Sequence, residues 1–246
     1  MKYKSIFISD VHLGTRYSKA QLLYDFLAQN SCENIYLVGD IIDGWVIKRK
    51  FTWHEHQTQV LERLFALAKG GMNVYYFAGN HDDFLRRFLP FRIDDRIHIV
   101  ESMTYEALNG KRYLVMHGDQ FDNVSVNRQW LAELGDWWYN LFLSFNTPIN
   151  ILRKMLGRKD YWSFSRAVKN GVKRYASKKT NFKEMLFEYV TAKGYDGIIF
   201  GHIHKVEISR YKTIDYINCG DWVESCTAIV ENYDGSWEVV QIPMGL

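Results

Sequence analysis

Cysteine is scarce: Cys32, Cys219 and Cys226 are the only three in 246 residues. An odd number with no Cys-x-x-Cys spacing argues against a disulfide framework and against a thiolate zinc site, and fits a reducing cytoplasm. Long apolar runs are missing too. Nowhere do the roughly 18 uninterrupted apolar residues of a membrane span occur. The start, Met1-Lys2-Tyr3-Lys4, runs into a short apolar stretch that soon meets Asp10 and His12, without the apolar segment or small-residue cleavage pattern of a signal peptide. The expectation is a chain that is neither secreted nor bilayer-spanning. Charge of one sign is also lacking, with 31 Lys and Arg against 28 Asp and Glu, a net +3. That is too little for the whole chain to hold polyanions non-specifically, so any attraction for anions is local. No Walker loop, Gly-x-Gly-x-x-Gly or Gly-x-Ser-x-Gly is present, which removes support for an NTPase, a dehydrogenase or a serine hydrolase.

What is present is a chain 47% hydrophobic and 16% aromatic, enough for one sizeable core. Apolar or β-branched runs at Ser5–Ser9, Asn34–Gly39, Asn73–Ala78, Arg112–Met116 and Gly197–Gly201 read as strands buried on both faces. Helix-period stretches separate the first three. Ser18 is placed to cap a helix over Lys19–Gln29, and Trp45 to Lys69 reads as one long helix stopped by Gly70-Gly71. Asn109-Gly110 predicts a two-residue hairpin, and Val206–Lys212, Ile214–Asn218, Val223–Glu231 and Trp237–Ile242 add short strands, with a turn at Asp234-Gly235. The fold class expected is α/β, with stacked mixed β-sheets flanked by helices in a single domain over 1–246.

A second character occupies the segment 122–192, which has helical periodicity and reads as a helical cap inserted in that domain. Its Asn123–Asn181 portion holds eleven Lys or Arg against three acids, Glu133, Asp136 and Asp160. Ten aromatics from Trp130 to Tyr175 interleave with these cations. That composition suits either the cap's own core or a surface that enters a lipid interface and attracts anionic headgroups.

Each early strand run ends in metal-compatible side chains: Asp10-Val11-His12, Gly39-Asp40, Gly79-Asn80-His81-Asp82, His117-Gly118-Asp119 and Gly201-His202-Ile203-His204. Ligands of open α/β sheets gather beyond the carboxyl ends of strands, so these five groups are expected to converge. Alternation along extended chain would put Asp10 and His12 on one side, and likewise His202 with His204. Asp40 offers a carboxylate able to bridge, while Asn80 and His117 are neutral donors. Oxygen and imidazole without thiolate suit Mn²⁺, Fe²⁺ or Zn²⁺, as divalent cofactors rather than as a structural zinc. His54, His56 and His98 match no ligand spacing and read as structural or surface residues.

These five elements, present in order from Asp10 to His204, resemble the pattern of the calcineurin-like metallophosphoesterase superfamily. The resemblance implies its four-layer fold and two divalent cations, with Mn²⁺ first and Fe²⁺ or Zn²⁺ as alternatives. Asp40 would bridge them, Asp10, His12 and His204 completing one site and Asn80, His117 and His202 the other. It also implies a catalytic His81 facing the phosphoryl or leaving-group oxygen, with Asp82 orienting its imidazole. Asp43 and Trp45 are placed to line the mouth, Asp43 behind a metal ligand; Asp119 and Asp122 are placed to orient His117 or cap the first helix of the insertion.

A closer resemblance rests on Ile8–Gly14, Gly39–Trp45, His117-Gly118-Asp119 and the insertion. These look like the UDP-2,3-diacylglucosamine hydrolase family of lipid A synthesis. His81 stands where the best-known members carry Arg, and the sequence after His-Gly-Asp differs. The similarity is therefore to a sister group, Asn218–Cys226 included. The resemblance implies hydrolysis of the pyrophosphate of a lipid-linked nucleotide sugar to UMP and a diacylated sugar 1-phosphate. It further implies a peripheral protein on the cytoplasmic face of the inner membrane, held there by the basic aromatic cap. The competing readings are a related lipid-linked pyrophosphatase, a nuclease or nucleotide phosphodiesterase whose cap tracks a phosphate backbone, and a non-enzymatic metal-binding scaffold. Nucleic acid is the disfavoured partner, and the oligomeric state is left open.

Overall fold

A computed structural model describes residues 2–121 and 182–243, so Asp122 and the Asn123–Asn181 portion of the expected cap, with its eleven cations and ten aromatics, fall outside the described residues. Along it run β1 (Lys2–Ile8), α1 (Ala20–Gln29), β2 (Ser31–Val38), α2 (Gly44–Arg49), α3 (Glu55–Lys69), β3 (Asn73–Phe77), a 3₁₀ turn (Asp83–Phe88), β4 (Phe91–Ile93) and β5 (Ile97–Val100). β6 (Ser102–Glu106), β7 (Arg112–Met116), α4 (Phe182–Ala192), β8 (Gly197–Phe200), β9 (Glu207–Tyr211), β10 (Ile214–Asn218), β11 (Thr227–Glu231) and β12 (Trp237–Gln241) follow. The chain divides into two compact units, 1–119 with 186–244 and 120–185 with 245–246, and among the described residues every strand belongs to the first.

The strands carry unbroken apolar runs because both of their faces are covered. Ile6, Ile8, Ile35 and Leu37 pack with Leu23, Phe26 and Leu27 of α1 and with Val60 and Leu64 of α3. The alternate residues Phe7, Tyr36, Val38 and Phe77 meet Tyr105, Tyr113, Val115, Ile199 and Ile217 of a second sheet. One sheet has seven strands in the order β12-β11-β1-β2-β3-β5-β4, with β1, β2, β3 and β5 parallel; the other has five in the order β6-β7-β8-β10-β9. On the far side, Leu186 and Val190 of α4 are wholly buried and Phe187 sets its ring against Tyr211 of β9, 6.3 Å between centroids. Helix, sheet, sheet, helix is the stacked mixed-sheet arrangement expected. Among the described residues no helix is long and apolar enough to cross a membrane.

Four local expectations are corrected. Ser18 does not cap α1: its hydroxyl has no hydrogen-bond partner, and the helix start is held instead by Lys19 N–H donating to the Trp222 carbonyl at 3.1 Å. The long helix is two helices, because two start signals compete within it. Asp43 Oδ1 caps α2 by accepting from Val46 N–H at 2.8 Å, while Gln57 Oε1 accepts from His54 N–H at 3.3 Å at the start of α3. The hairpin loop has three residues, Leu108–Gly110, since Ala107 N–H still donates to Lys111 O; Gly110 takes φ +79°, the left-handed position such loops require. Finally β11 begins at Thr227, not Val223. Asp221 Oδ1 takes the N–H groups of Val223, Glu224 and Ser225, which folds them into a turn and removes them from the ladder.

Candidate metal centre

The expected ligands leave the parallel strands at their carboxyl ends, but not by continuing as extended chain. Asp10, His12, Asp40, His202 and His204 all have φ between +50° and +64°, and they are five of the eight non-glycine residues with positive φ among the described residues. Alternation therefore does not bring Asp10 and His12 together; successive left-handed turns do. Such backbone costs about 1 kcal/mol or more per residue and persists only where surroundings enforce it. Here they do. Asp10 N–H donates to Gly39 O at 3.1 Å, Val11 and His12 N–H both to Asp40 O at 3.0 Å, and Leu13 N–H to Ile41 O at 2.8 Å.

Three clusters result, each with donor atoms within 4.8 Å of one another: Asp10, His12 and His204; Asp40, His117 and His202; and His12, Asp43 and His81. Asn80 joins the second, its Oδ1 lying 3.3 Å from His117 Nε2. Close packing of backbone makes this convergence possible. A Cβ on Gly79 would run into the Asp40 carboxylate, one on Gly39 into the His117 ring, and one on Gly201 into Ser9 and Asp10. Gly79→Ala is therefore expected to displace Asp40, with at least about a tenfold loss of metal affinity. Titrating the purified variant with Mn²⁺ checks this, and unchanged affinity would refute it.

The donors fit cations. Asp10 Oδ1 and His12 Nε2 are buried without a hydrogen bond. His204 Nε2 comes to 3.0 Å from that oxygen, the distance of an ion pair without the direction of a hydrogen bond. Three lone-pair donors thus face one point, where a divalent ion would satisfy all of them. In the second cluster His117 Nδ1–H donates to the Val38 carbonyl at 2.9 Å, which aims Nε2 at Asp40 Oδ2, 3.2 Å away. Burial would lower the His117 pKa, but the Asp40 charge beside it outweighs burial and holds it up at about 10. The field that retains a second proton there is the field that attracts a cation in its place. Burial likewise opposes ionisation of Asp10 and Asp40, yet His204 beside the first and His117 with His81 beside the second keep both well below the ordinary carboxylate range. Thiols are no part of it: burial pushes Cys32 up to about 12 and Cys219 well above its ordinary value.

Other expected residues are placed as follows. Asp43 Oδ2 accepts from both His12 Nδ1–H, at 3.1 Å, and His81 Nδ1–H, at 3.0 Å. The carboxylate that orients His81 is thus Asp43, not Asp82. Asp82 is wholly buried and accepts from Ile41 N–H at 3.0 Å, the Tyr76 hydroxyl at 2.6 Å and Gly79 N–H, so it braces the loop carrying Asn80. Burial and then the charge of Asp40 push Asp82 up to about 6. Trp45 lies over His81, ring centroids 4.2 Å apart. Asp119 does not orient His117, whose Nδ1–H is given to Val38; it pairs with Arg86 at 2.8 Å. His54, His56 and His98 join none of the clusters.

Two bracing roles were not among the sequence expectations. Buried Gln57 accepts from Gly14 N–H at 3.2 Å and donates to Thr15 O at 2.8 Å, tying the loop after His12 to α3. Buried Asn218 donates to Gly201 O at 2.5 Å and accepts from Gly220 N–H at 3.0 Å, bracing the loop that carries His202 and His204. An amide side chain in a helix or strand carries no metal-ligand signal.

Residues 3–206 match the family model for calcineurin-like phosphoesterases. The chain is 31% identical over 154 residues to a UDP-2,3-diacylglucosamine hydrolase of Porphyromonas gingivalis, covering 58% of this chain and 53% of that one, so it spans about half the length of that relative. It is 24% identical over 238 residues to the UDP-2,3-diacylglucosamine hydrolase of Haemophilus influenzae strain PittGG, covering 92% of this chain and 94% of that one. Among solved structures, Yfce, a phosphoesterase from E. coli, is similar over 97% of this chain and 99% of its own, at 15% identity and a TM-score of 0.45. The chain belongs to the calcineurin-like phosphoesterase family, and its paired His and Asp clusters are those of a dinuclear-metal hydrolase.

Proposed function

We propose that this hydrolase cleaves the pyrophosphate of a UDP-linked diacylglucosamine at the cytoplasmic face of the inner membrane, releasing UMP and a diacylglucosamine 1-phosphate. The observation that carries phosphoester hydrolysis is the pair of donor clusters, Asp10 with His12 and His204, and Asp40 with His117 and His202. What supports the substrate is the shared name of relatives aligned over nine-tenths of this chain.

Two divalent ions held there, Mn²⁺ in our reading, would supply positive charge against the phosphoryl oxygens and lower the pKa of water enough for it to lose a proton and attack phosphorus as hydroxide. The chain's own residues do the rest. Asp43 fixes the protons of His12 and His81 on Nδ1, leaving His12 Nε2 as a lone-pair donor. His81, held between Asp43 and the Trp45 ring, offers Nε2 to the substrate; protonated there, it donates to the phosphoryl or leaving-group oxygen. Val38 does for His117 what Asp43 does for His12.

The test is Mn²⁺-dependent turnover of UDP-2,3-diacylglucosamine in isotopically labelled water. The expected products are UMP and the sugar 1-phosphate in equal amounts, with the label in UMP because attack falls on the phosphorus that UMP retains. Turnover of soluble nucleotide pyrophosphates with none of the lipid substrate would end this reading.

A further inference from the structure

Among the described residues the two most exposed large apolar side chains are Phe51 and Phe88, at 72% and 60%. Both sit among cations. Phe51 follows Lys48-Arg49-Lys50 at the end of α2, and its ring stacks with that of Trp53, 6.4 Å between centroids. Phe88 follows Arg86-Arg87 in the 3₁₀ turn, with the Arg87 guanidinium 5.2 Å from its ring centre. No acid occurs from Trp45 to His54 or from Phe84 to Ile93, and Lys48, Arg49, Lys50, Arg87 and Arg92 are all exposed. Arg86 is engaged by Asp119 and Glu101 and is not counted with them.

The two stretches share one edge of the fold. α2 leaves the carboxyl end of β2 through Asp40 and Asp43, and the 3₁₀ turn leaves the carboxyl end of β3 through Asn80, His81 and Asp82. β2 and β3 are parallel neighbours. The segments also touch: Gly44 N–H donates to His81 O at 2.9 Å, and a side chain at Gly44 would meet the Phe84 ring. The aromatic, basic rim formed by these stretches therefore starts at the edge where the metal donors gather.

Rings held in water recover free energy when they are buried, and neighbouring Lys and Arg answer the charge of an anionic surface. We propose that this rim docks the protein on an anionic bilayer surface, with Phe51 and Phe88 entering the interface and Lys48, Lys50 and Arg87 contacting headgroups. The inference deepens the lipid-substrate reading and takes its purpose from it, since it turns the donor-bearing edge toward the leaflet holding the substrate. An acidic protein surface would satisfy the cations, but it would not need two separate aromatic residues free to insert.

The experiment is flotation of the full chain with vesicles of phosphatidylcholine alone, or with phosphatidylglycerol added. Binding is expected only with the anionic lipid. The double variant Phe51→Ser/Phe88→Ser, its charge unaltered, should bind at least about tenfold more weakly, and so should Lys48→Glu/Lys50→Glu/Arg87→Glu. Both variants should hydrolyse a water-soluble diester, bis(p-nitrophenyl) phosphate, at the parent rate, which shows that they fold. No flotation with anionic vesicles, or flotation that the serine pair leaves unweakened, overturns the proposal; binding lost only on charge reversal points to an acidic partner instead. Vesicle binding without UMP release removes the substrate reading alone. UMP release from detergent-dispersed substrate without vesicle binding removes the docking alone.

Discussion

Asp40→Asn is expected to lower kcat by about a thousandfold or more and to leave the protein with less bound metal, because it removes the negative charge that His117, His81 and His12 surround. The substitution is nearly isosteric, so the fold has little reason to change: an amide oxygen can still accept from His81 N–H, as Asp40 Oδ1 does at 2.8 Å. What is lost is the carboxylate oxygen 3.2 Å from His117 Nε2. Parallel measurement of turnover, metal content by elemental analysis and thermal unfolding separates these effects. Activity within about tenfold of the parent at saturating Mn²⁺ would show that this carboxylate is not at the centre of the chemistry.

Asp43→Asn should cost about a hundredfold or more, by a different route. One carboxylate oxygen accepts from both His12 and His81, while the other caps α2 through Val46 N–H. Asparagine still caps helices well, so α2 keeps its start. Its amide N–H₂, however, would face two imidazole N–H groups, and the conflict is relieved by moving the ring protons to Nε2. On His12 that proton would occupy the lone pair meant for a cation, and on His81 it would change which nitrogen meets substrate. Metal affinity and kcat should therefore fall together while the unfolding temperature changes little. A variant that binds Mn²⁺ like the parent and is merely less stable would reduce Asp43 to a helix cap.

Much of the site was legible because metal chemistry restricts residue type. Asp-x-His, Gly-Asp, Gly-Asn-His-Asp and Gly-His-x-His after apolar runs carry their meaning in one dimension, and the glycines beside them mark where backbone must come close. The route by which the side chains meet was not legible. Alternation suggested extended chain at Asp10 and His12, whereas both are left-handed, held by the backbone of 39–41, a segment some thirty residues away. The orienting partner of His81 is likewise set between distant segments, not by the Asp82 that the family resemblance implies. Asp82 is adjacent in sequence, but Asp43, 38 residues earlier, has the geometry. Competition between local signals explains the helices: Asp43 and the His54–Gln57 start both operate, so one apolar periodicity became two elements.

By itself the sequence determined the layers, the order of the chemical groups and their nature as oxygen and imidazole donors, because burial on two faces and ligand preference are properties of residue type and period. Only the tertiary structure decided which nitrogen of His12, His81 and His117 carries its proton, which aspartate braces and which orients, and that two basic, aromatic stretches far apart in the chain start at the edge of the metal centre. Those depend on distances between segments that leave parallel strands side by side, and no pattern within a single segment encodes them.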